Sequence, residues 1–342
     1  MNYLVGSEKE FHSFIDSITS EDKIGIITHI DLDGFASAII LEEILKSRGF
    51  NVEKILFMNY SKNMFVEPKK LFENLGITKV LMADLAADND DFEGFLDFRN
   101  KFDSFLIDHH PMNEKTKDLD KVIKTESVDC ATWAIYNLAK NYFDVKIFDE
   151  LVSATMVAEW SFRNEDNFNF LKEKNPGVTK ETFFDFPCGK LAKKVGAGAI
   201  YYANDLERVY EIIKNKEFDK LTEIDKLLSM EIDNQIIAYK ENAEYFSEKD
   251  LYFYYSTPKH NIASIVTTIL SKEKGIFIFA VDIEKEMIKV SIRNNTTEED
   301  VGALIKKGIK GLENAIGGGH KRAAAARFMK KDLQKFKENL LE

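Results

Sequence analysis

Short apolar runs alternate with helical segments over the first half of the chain. The runs at 23–28, 52–58, 78–83, 104–107 and 121–124 are typical of buried strands. Apolar side chains recur at helical spacing in residues 35–48, 131–140 and 149–160, and Gly49 provides a natural end for the first of these helices. The alternation predicts an α/β fold with a parallel sheet covered by helices on both faces.

The pattern changes in the second half of the chain. Strand signals fade between about 179 and 246, where charged helical segments such as 205–214 and 220–245 dominate. Strands return at 251–256, 275–282 and 287–293, with helices at 262–271 and 331–341. We therefore predict three parts: a parallel-sheet domain over 1–178, a helical connection over 179–248 and a smaller α/β domain over 249–342.

Composition narrows the class of protein. The chain has 342 residues, of which 44% are hydrophobic and 12% aromatic, and this is enough for two packed cores and excludes a disordered chain. Its two cysteines, Cys130 and Cys188, fit neither a disulfide framework nor a cysteine-based zinc site. With no signal pattern at the N-terminus and no apolar run of membrane length, we expect a soluble, cytoplasmic protein that does not bind membranes.

Charge is distributed unevenly along the chain. The formal net charge of −11 argues against a protein that coats nucleic acid through bulk electrostatics. Residues 301–342 nevertheless contain ten Lys or Arg and four Asp or Glu, so this segment carries +6 and the rest of the chain −17. The predicted helix at 331–341 explains some of these lysines. A local basic surface in the last domain remains an expectation.

Acidic and imidazole side chains stand directly after three of the predicted strands. They are His29, Asp31, Asp33, Asp84, Asp108, His109 and His110. Because the carboxyl ends of parallel strands meet at one edge of a sheet, we expect these side chains to converge. Carboxylate and imidazole together suit Mn²⁺ and Mg²⁺, and two such ions are the usual means of hydrolysing a phosphate ester. The alternative is a set of solvated loops, and the acidic run 88–91 is itself interpreted as an ordinary acidic loop.

These motifs, with the late Gly317-Gly318-Gly319-His320, resemble the DHH phosphoesterase superfamily and its C-terminal DHHA1 substrate-binding domain. The His-x-Asp-x-Asp-Gly form and the domain order are most similar to RecJ-like nucleases and short-oligonucleotide hydrolases. The resemblance implies a DHH catalytic domain over 1–178 and a DHHA1 domain over 249–342. It also implies a phosphodiesterase with two divalent cations, Mn²⁺ or otherwise Mg²⁺, which digests short or single-stranded RNA or DNA from chain ends in the cleft between the domains.

The resemblance assigns metal ligands residue by residue. His29 and Asp31 would hold the first cation. Asp33 and His109 would hold the second, and Asp84 would bridge the two.

The resemblance assigns the remaining site residues as well. Asp108 would orient a neighbouring histidine, and His110 would face the phosphate, so that both belong to the catalytic set. The family also has a fourth aspartate after a helix, in the region of residues 153–160. Here Glu159 is the candidate, one methylene longer, and Asp166 is the alternative.

The candidates for substrate binding lie in the last domain. They are Arg293, Gly317, Gly318, Gly319, His320, Lys321 and Arg322. Arg293 ends a strand where the family has an arginine for substrate phosphate. Consecutive glycines allow close approach of the backbone to a phosphate in a loop. Lys321 and Arg322 would follow further phosphates or simply solubilise that loop.

Two other functions remain open from the sequence. The same site would serve a phosphodiesterase or phosphatase of small nucleotides, such as a cyclic dinucleotide. If Glu159 does not complete the second cation site, the chain would instead be a nucleic-acid-binding subunit of a repair or replication complex. The sequence does not decide between a homodimer and such a partner.

Overall fold

The chain folds as two units, Met1–Ile224 and Asp225–Glu342. The structure is a computed structural model that describes residues 1–283 and 286–341. The first unit contains β1 (Tyr3–Val5), α1 (Glu8–Asp16), β2 (Ile24–His29), α2 (Leu32–Ser47), β3 (Val52–Met58), α3 (Val66–Leu75), β4 (Lys79–Ala83), α4 (Ala87–Asp90), α5 (Phe92–Lys101), β5 (Asp103–Asp108), β6 (Val122–Thr125), α6 (Ala131–Ala139), α7 (Asp149–Ala158), α8 (Glu165–Lys174), α9 (Pro187–Tyr201) and α10 (Leu206–Lys214). The helix α11 (Thr222–Asn242) leads into the second unit, which contains β7 (Glu244–Phe246), β8 (Leu251–Ser256), α12 (Ala263–Leu270), β9 (Ile276–Ile283), β10 (Met287–Arg293), α13 (Val301–Gly308), β11 (Ile316–His320), β12 (Ala323–Met329) and α14 (Leu333–Leu341).

The sheet of the first unit has the strand order β1-β6-β5-β4-β2-β3. The strands β2 to β6 run parallel, which confirms the predicted parallel sheet, and β1 pairs antiparallel with β6. Sequence periodicity missed β1, because three residues are too few to show an alternating pattern. Thr28 lies opposite Ala83, and Ala83 lies opposite Ile107. The three strands therefore end at the same level, with their polar motifs side by side.

Helices cover both faces of this sheet. Phe72 of α3 and Phe98 of α5 belong to a core cluster with Met82 of β4 on one face. On the other face, Phe105 of β5 contacts Phe11 of α1, with ring centroids 5.5 Å apart. Burial on both sides explains why the sequences of these strands are nearly continuous apolar runs.

The sheet of the second unit has the strand order β11-β12-β10-β9-β8-β7. Its strands pair antiparallel except for β8 and β9, which are parallel. A core cluster joins Val290 and Ile292 of β10 to Ile305 of α13 and Phe336 of α14. The prediction of a smaller α/β domain is confirmed. Among residues 1–283 and 286–341, no helix combines the length and hydrophobicity needed to span a bilayer.

The glycine triplet does not form the predicted loop. Gly317, Gly318 and Gly319 lie in β11, which pairs with β12, and the two-residue turn that follows contains Lys321 and Arg322. A Cβ on Gly317 would lie 2.9 Å from the side chains of Ala326 and Ile305. Gly317 therefore allows close packing of a strand. Residue type alone does not distinguish this use of glycine from its use in a loop.

Candidate metal centre

Asp84 lies at the centre of the polar cluster at the edge of the first sheet. It follows β4 with φ of 55°, in the left-handed region, and its side chain is buried. Its Oδ1 lies 3.3 Å from Nε2 of His109, and its Oδ2 lies 3.7 Å from Nδ1 of His29. Burial, followed by the charges of Asp33 and Asp31, holds the pKa of the Asp84 carboxyl well above its usual range. Nδ1 of His110 lies 3.8 Å from the same Oδ1, so three imidazoles surround the Asp84 carboxylate.

The first motif places His29 and Asp31 beside Asp84. His29 ends β2, and its Nδ1 lies 2.6 Å from Oδ2 of Asp31. Asp31 caps the N-terminus of α2, since its Oδ1 accepts a hydrogen bond from the Gly34 N–H at 3.1 Å. Burial alone would raise the pKa of Asp31, but the hydrogen bond and charge of His29 lower it to about 2. Capping thus fixes the orientation of this carboxylate.

Gly34 allows the first turn of α2 to lie directly against the backbone of His29. A Cβ at Gly34 would lie 2.1 Å from the His29 carbonyl oxygen. We therefore expect Gly34→Ala to lower the free energy of unfolding by about 2 kcal/mol or more, through displacement of α2 or β2. Gly196→Ala in α9 is the matched control, because a Cβ there meets nothing within 4 Å. That change should stabilise the protein by about 0.5–1 kcal/mol in urea unfolding, and equal effects of the two substitutions would contradict the packing argument.

Asp33 serves two elements at once. It lies in the first turn of α2, fully buried, and its carboxylate accepts hydrogen bonds from the Ala131 N–H at 2.8 Å and the Thr132 N–H at 2.7 Å. These are the first two amides of α6, whose own N-cap residue, Cys130, provides no side-chain hydrogen bond. Asp33 therefore caps α6 from a different helix. Its Oδ2 also lies 3.6 Å from Nε2 of His109, so a lone pair still faces the cluster.

Asp108 and His110 belong to a buried chain of charged groups. Nδ1 of His110 lies 2.8 Å from Oδ1 of Asp108, whose Oδ2 accepts a hydrogen bond from Lys124 Nζ at 2.5 Å. Lys124 also donates to Asp88 at 3.0 Å, and Lys124, Asp88 and Asp108 are all fully buried. Burial alone would raise the pKa of Asp108, but the charge of Lys124 lowers it far below its usual range. Tyr60 lies at the opposite end of this series of hydrogen-bonded side chains, and its hydroxyl lies 3.0 Å from Nε2 of His110.

Sequence reasoning missed three members of this arrangement. Asp88 is buried and hydrogen-bonded to the Thr116 hydroxyl at 2.7 Å, so the interpretation of residues 88–91 as an ordinary acidic loop was wrong for this residue. Lys124 was assigned only to a strand, although a lysine inside an apolar strand was a usable signal. Tyr60 follows β3, and its ring stacks on that of His29 at 4.2 Å. No sequence pattern indicated that contact.

Glu159 is the candidate for the fourth acidic ligand, and the charges of Asp31 and Asp33 act on it. It is the C-cap residue of α7 and is partly buried. Burial, and then the charges of Asp31 and Asp33, raise the pKa of Glu159 to about 9. The alternative candidate, Asp166, is exposed in the first turn of α8. Of the two, Glu159 is the one whose pKa is shifted by the charges of Asp31 and Asp33.

The geometry of the cluster suits divalent cations. Within the described residues, two groups have ligand atoms within 4.8 Å of one another, namely His29 with Asp31 and Asp84, and Asp84 with His109 and His110. Asp84 belongs to both groups. The buried Oδ2 of Asp84 and both ring nitrogens of His109 have no hydrogen-bond partner. Unpartnered buried polar atoms are rare and costly, and carboxylate with imidazole is a donor set for divalent ions. The residues therefore fit the implied metal centre.

The match to known families agrees with this site and with the second unit. Residues 23–159 match the DHH family, N-terminal domain, and residues 250–342 match the DHHA1 domain. The chain belongs to the DHH/DHHA1 phosphoesterase superfamily. The first of these matches includes every residue of the sheet-edge cluster from His29 to Glu159.

Solved structures of other proteins share the fold of this chain. Exonuclease RecJ bound to manganese superposes with a TM-score of 0.76 over 98% of this chain and 94% of that chain, at 14% identity. RecJ from Thermus thermophilus in complex with Mn²⁺ gives 0.71 over 98% and 54%, also at 14% identity. CDC45 from Entamoeba histolytica gives 0.56 over 98% and 97%, at 12% identity. No curated protein sequence matches the chain.

The substrate-binding candidates in the DHHA1 domain differ in whether their charged groups already have partners within the domain. Arg293 is partly buried at the end of β10, and its Nη2 donates to Ser264 Oγ at 2.8 Å. Lys321 pairs with Glu298 at 2.7 Å, and Arg322 donates to the carbonyl oxygen of Thr297. His320 is exposed at the end of β11. Arg293 and His320 thus remain available to a ligand, whereas Lys321 and Arg322 hold the hairpin turn.

Proposed function

We propose that this DHH/DHHA1 protein is a divalent-cation-dependent phosphodiesterase that hydrolyses short or single-stranded RNA or DNA from a chain end. The observation that carries the proposal is the position of Asp84. It is a buried carboxylate with one unpartnered oxygen, and it is shared between two groups of cation ligands. Two closely spaced cations assist phosphoryl hydrolysis by stabilising both the attacking and the leaving oxygen, and a shared carboxylate would hold such a pair together.

The ligand groups suggest how the cations would be held. His29, Asp31 and Asp84 would hold one ion, while Asp84 and His109, with Asp33 close by, would hold the other. When bound, the cations would polarise the phosphate and lower the pKa of an attacking water. Because each group contains an imidazole, Mn²⁺ is expected to support the reaction better than Mg²⁺.

In this proposal His110 interacts with the substrate phosphate. Lys124 keeps Asp108 ionised, and Asp108 accepts a hydrogen bond from the Nδ1–H of His110. Burial lowers the pKa of His110, but the hydrogen bond and charge of Asp108 raise it more, so the net shift is upward. The upward shift favours the protonated ring more than in a free histidine, and in that form Nε2 donates a hydrogen bond. A phosphate oxygen that replaced the Tyr60 hydroxyl would accept that hydrogen bond.

The charge of the chain favours short substrates. Arg293 supplies one cationic contact for a terminal phosphate, and His320 lies in the same cross-strand row, with Ala323 between them. A protein with net charge −11 neutralises few phosphates, and its binding should therefore depend weakly on salt. A contact that recognises a terminal phosphate favours digestion from the chain end.

Digestion of end-labelled oligonucleotides tests this function. The wild-type protein is incubated with RNA and DNA of graded length in Mn²⁺, Mg²⁺ or EDTA, and products are resolved over time. We expect stepwise release of mononucleotides in Mn²⁺, slower release in Mg²⁺ and none in EDTA. Failure to cleave any oligonucleotide in either metal would contradict the proposal. Cleavage of a cyclic dinucleotide alone would move the assignment to small nucleotides.

Glu159 favours a second candidate function, that of a nucleic-acid-binding subunit without hydrolytic activity. It replaces the aspartate expected at the fourth position, and its raised pKa of about 9 leaves it neutral at pH 7 in the absence of cations. Calorimetric titration with Mn²⁺ separates the two functions. Two bound ions in the wild type and one in Glu159→Ala would support the enzyme, whereas a single ion in both would support the binding subunit.

A further inference from the structure

Cross-strand register arranges side chains of the DHHA1 sheet in three rows on one face. Residues directly opposite each other in antiparallel strands project to the same face, as do residues two apart along a strand. The first row contains Arg293, Ala323 and His320. The second row contains Ser291, Ala325 and Gly318, and the third contains Lys289, Arg327 and Ile316. Two rows with cations are therefore separated by one row of small residues.

The face that carries these rows is open over β12 and β11. Val290 and Ile292 alternate with the rows and lie in the core with Ile305 of α13, which identifies the opposite face as the covered one. On the row side, Ala325 is exposed, and a Cβ at Gly318 would meet nothing within 4 Å. Ser291 of the middle row is buried against Thr267 of α12, so Ala325 and Gly318 form the accessible floor between the two cationic rows.

Among the described residues, the cationic side chains of Lys289, Arg293 and Arg327 have no carboxylate partner. Lys289 lies directly opposite Arg327, a pairing of like charges that destabilises a sheet. Lys289 donates only to Asn261 Oδ1 at 3.1 Å, and Arg293 donates to neutral oxygens such as Ser264 Oγ. Burial lowers the pKa of Lys289, and the charges of Arg327 and Arg293 lower it further. In the part of the chain described, none of the three forms an ion pair. This arrangement is expected of a surface that binds an anion.

We infer that Lys289 and Arg327 form a second phosphate site, which binds an internal phosphate of an oligonucleotide whose terminal phosphate is held at Arg293. The inference rests on the proposed function, because it uses the Arg293 row as the terminal-phosphate site. Lys289 and Arg293 are four residues apart on one strand, which corresponds to ~13 Å between their Cα atoms. A mononucleotide cannot reach both rows. The second site therefore selects nucleic acid of more than one nucleotide. Lys321 and Arg322 were predicted to provide the additional phosphate contact, and this inference assigns it to Arg327.

Equilibrium binding in EDTA tests the second site without any contribution from hydrolysis. 5′-Phosphorylated oligothymidylates of one to eight residues compete with a fluorescent oligonucleotide for the full-length protein. In the wild type, affinity should rise at the length that reaches the third row. In Arg327→Ala the rise should be lost, with about five- to tenfold weaker binding of the octamer and a salt slope smaller by about 0.7. Affinity for the mononucleotide should stay within twofold.

Two further variants keep the inference falsifiable. Lys306→Ala removes an exposed lysine of α13, on the covered side of the sheet, and should leave every affinity within twofold. Lys289→Met should reproduce the effect of Arg327→Ala. An unchanged length dependence in both row variants overturns the second site, as does an equal loss for mononucleotide and octamer. If the wild-type protein shows the length-dependent binding but no Mn²⁺-dependent hydrolysis, the enzymatic function is refuted and this binding site is not.

Discussion

Asp84→Asn should reduce Mn²⁺-dependent hydrolysis of oligonucleotides by more than about a hundredfold, the upper range for residues that merely support metal ligands. The substitution keeps the shape of the side chain and removes the charge shared by the two ligand groups. Asparagine is the better choice than alanine because Asp84 has φ of 55°, and asparagine tolerates this conformation. Initial rates at saturating Mn²⁺ measure the effect.

The same variant should be at least as stable as the wild type in EDTA. Burial and the neighbouring carboxylates disfavour the ionised Asp84, so removal of its charge relieves repulsion in the folded state. Thermal unfolding in EDTA would show this as an equal or higher Tm. Asp97→Asn is the matched control, since Asp97 is exposed and pairs with Lys69, and it should change neither rate nor Tm appreciably. Near-normal turnover in Asp84→Asn would refute the bridging role.

Lys124→Met should lower the free energy of unfolding by about 3–5 kcal/mol, the cost typical of removing one partner of a buried ion pair. Lys124 lies between Asp88 and Asp108, and the substitution leaves both carboxylates buried without the charge of the lysine. The apolar volume of methionine is close to that of the lysine stem, so that cavity formation contributes little. Urea unfolding in EDTA measures the loss independently of catalysis.

Lys121→Met provides the comparison for this prediction. Lys121 pairs with Asp103 at 2.5 Å, but its side chain is 40% exposed, and an exposed pair contributes about 1 kcal/mol or less. The double variant Asp88→Asn, Lys124→Met should recover part of the stability, because Asp108 is then the one carboxylate of the pair that lacks the lysine charge, and it keeps its hydrogen bond to His110. Equal losses for Lys121→Met and Lys124→Met would show that burial does not set the strength of the Lys124 network.

The order of strands and motifs in the first unit could be predicted because it follows from local pattern. Apolar runs marked β2, β4 and β5, and parallel pairing brings the residues after them to one edge. His29, Asp84 and His109 converge for this reason alone. The family assignment depended on the same residues and their spacing, and the family matches confirm it.

The remaining features depend on pairings between distant parts of the chain. Lys124 meets Asp88 and Asp108 across intervals of 36 and 16 residues, and a strand pattern does not specify such partners. Lys321 was predicted either to follow further phosphates or to solubilise its loop. Its partner, Glu298, lies 23 residues earlier, and no local pattern indicates that pairing. A third case is the glycine triplet, whose place in β11 depends on contact with α13. Local sequence predicts where an element runs, whereas the use of a charge depends on what the tertiary fold places beside it.

The hydrogen bonds from α6 to Asp33 make one side chain responsible for both folding and ligand geometry. Its carboxylate is oriented by the amides of Ala131 and Thr132 before any ion arrives, so the site is preorganised by the helix it caps. Natural variation at position 33 is consequently constrained twice. A related protein that has lost hydrolytic activity would still need an acid or amide side chain there to cap α6. An aspartate at this position is therefore weak evidence for an active enzyme.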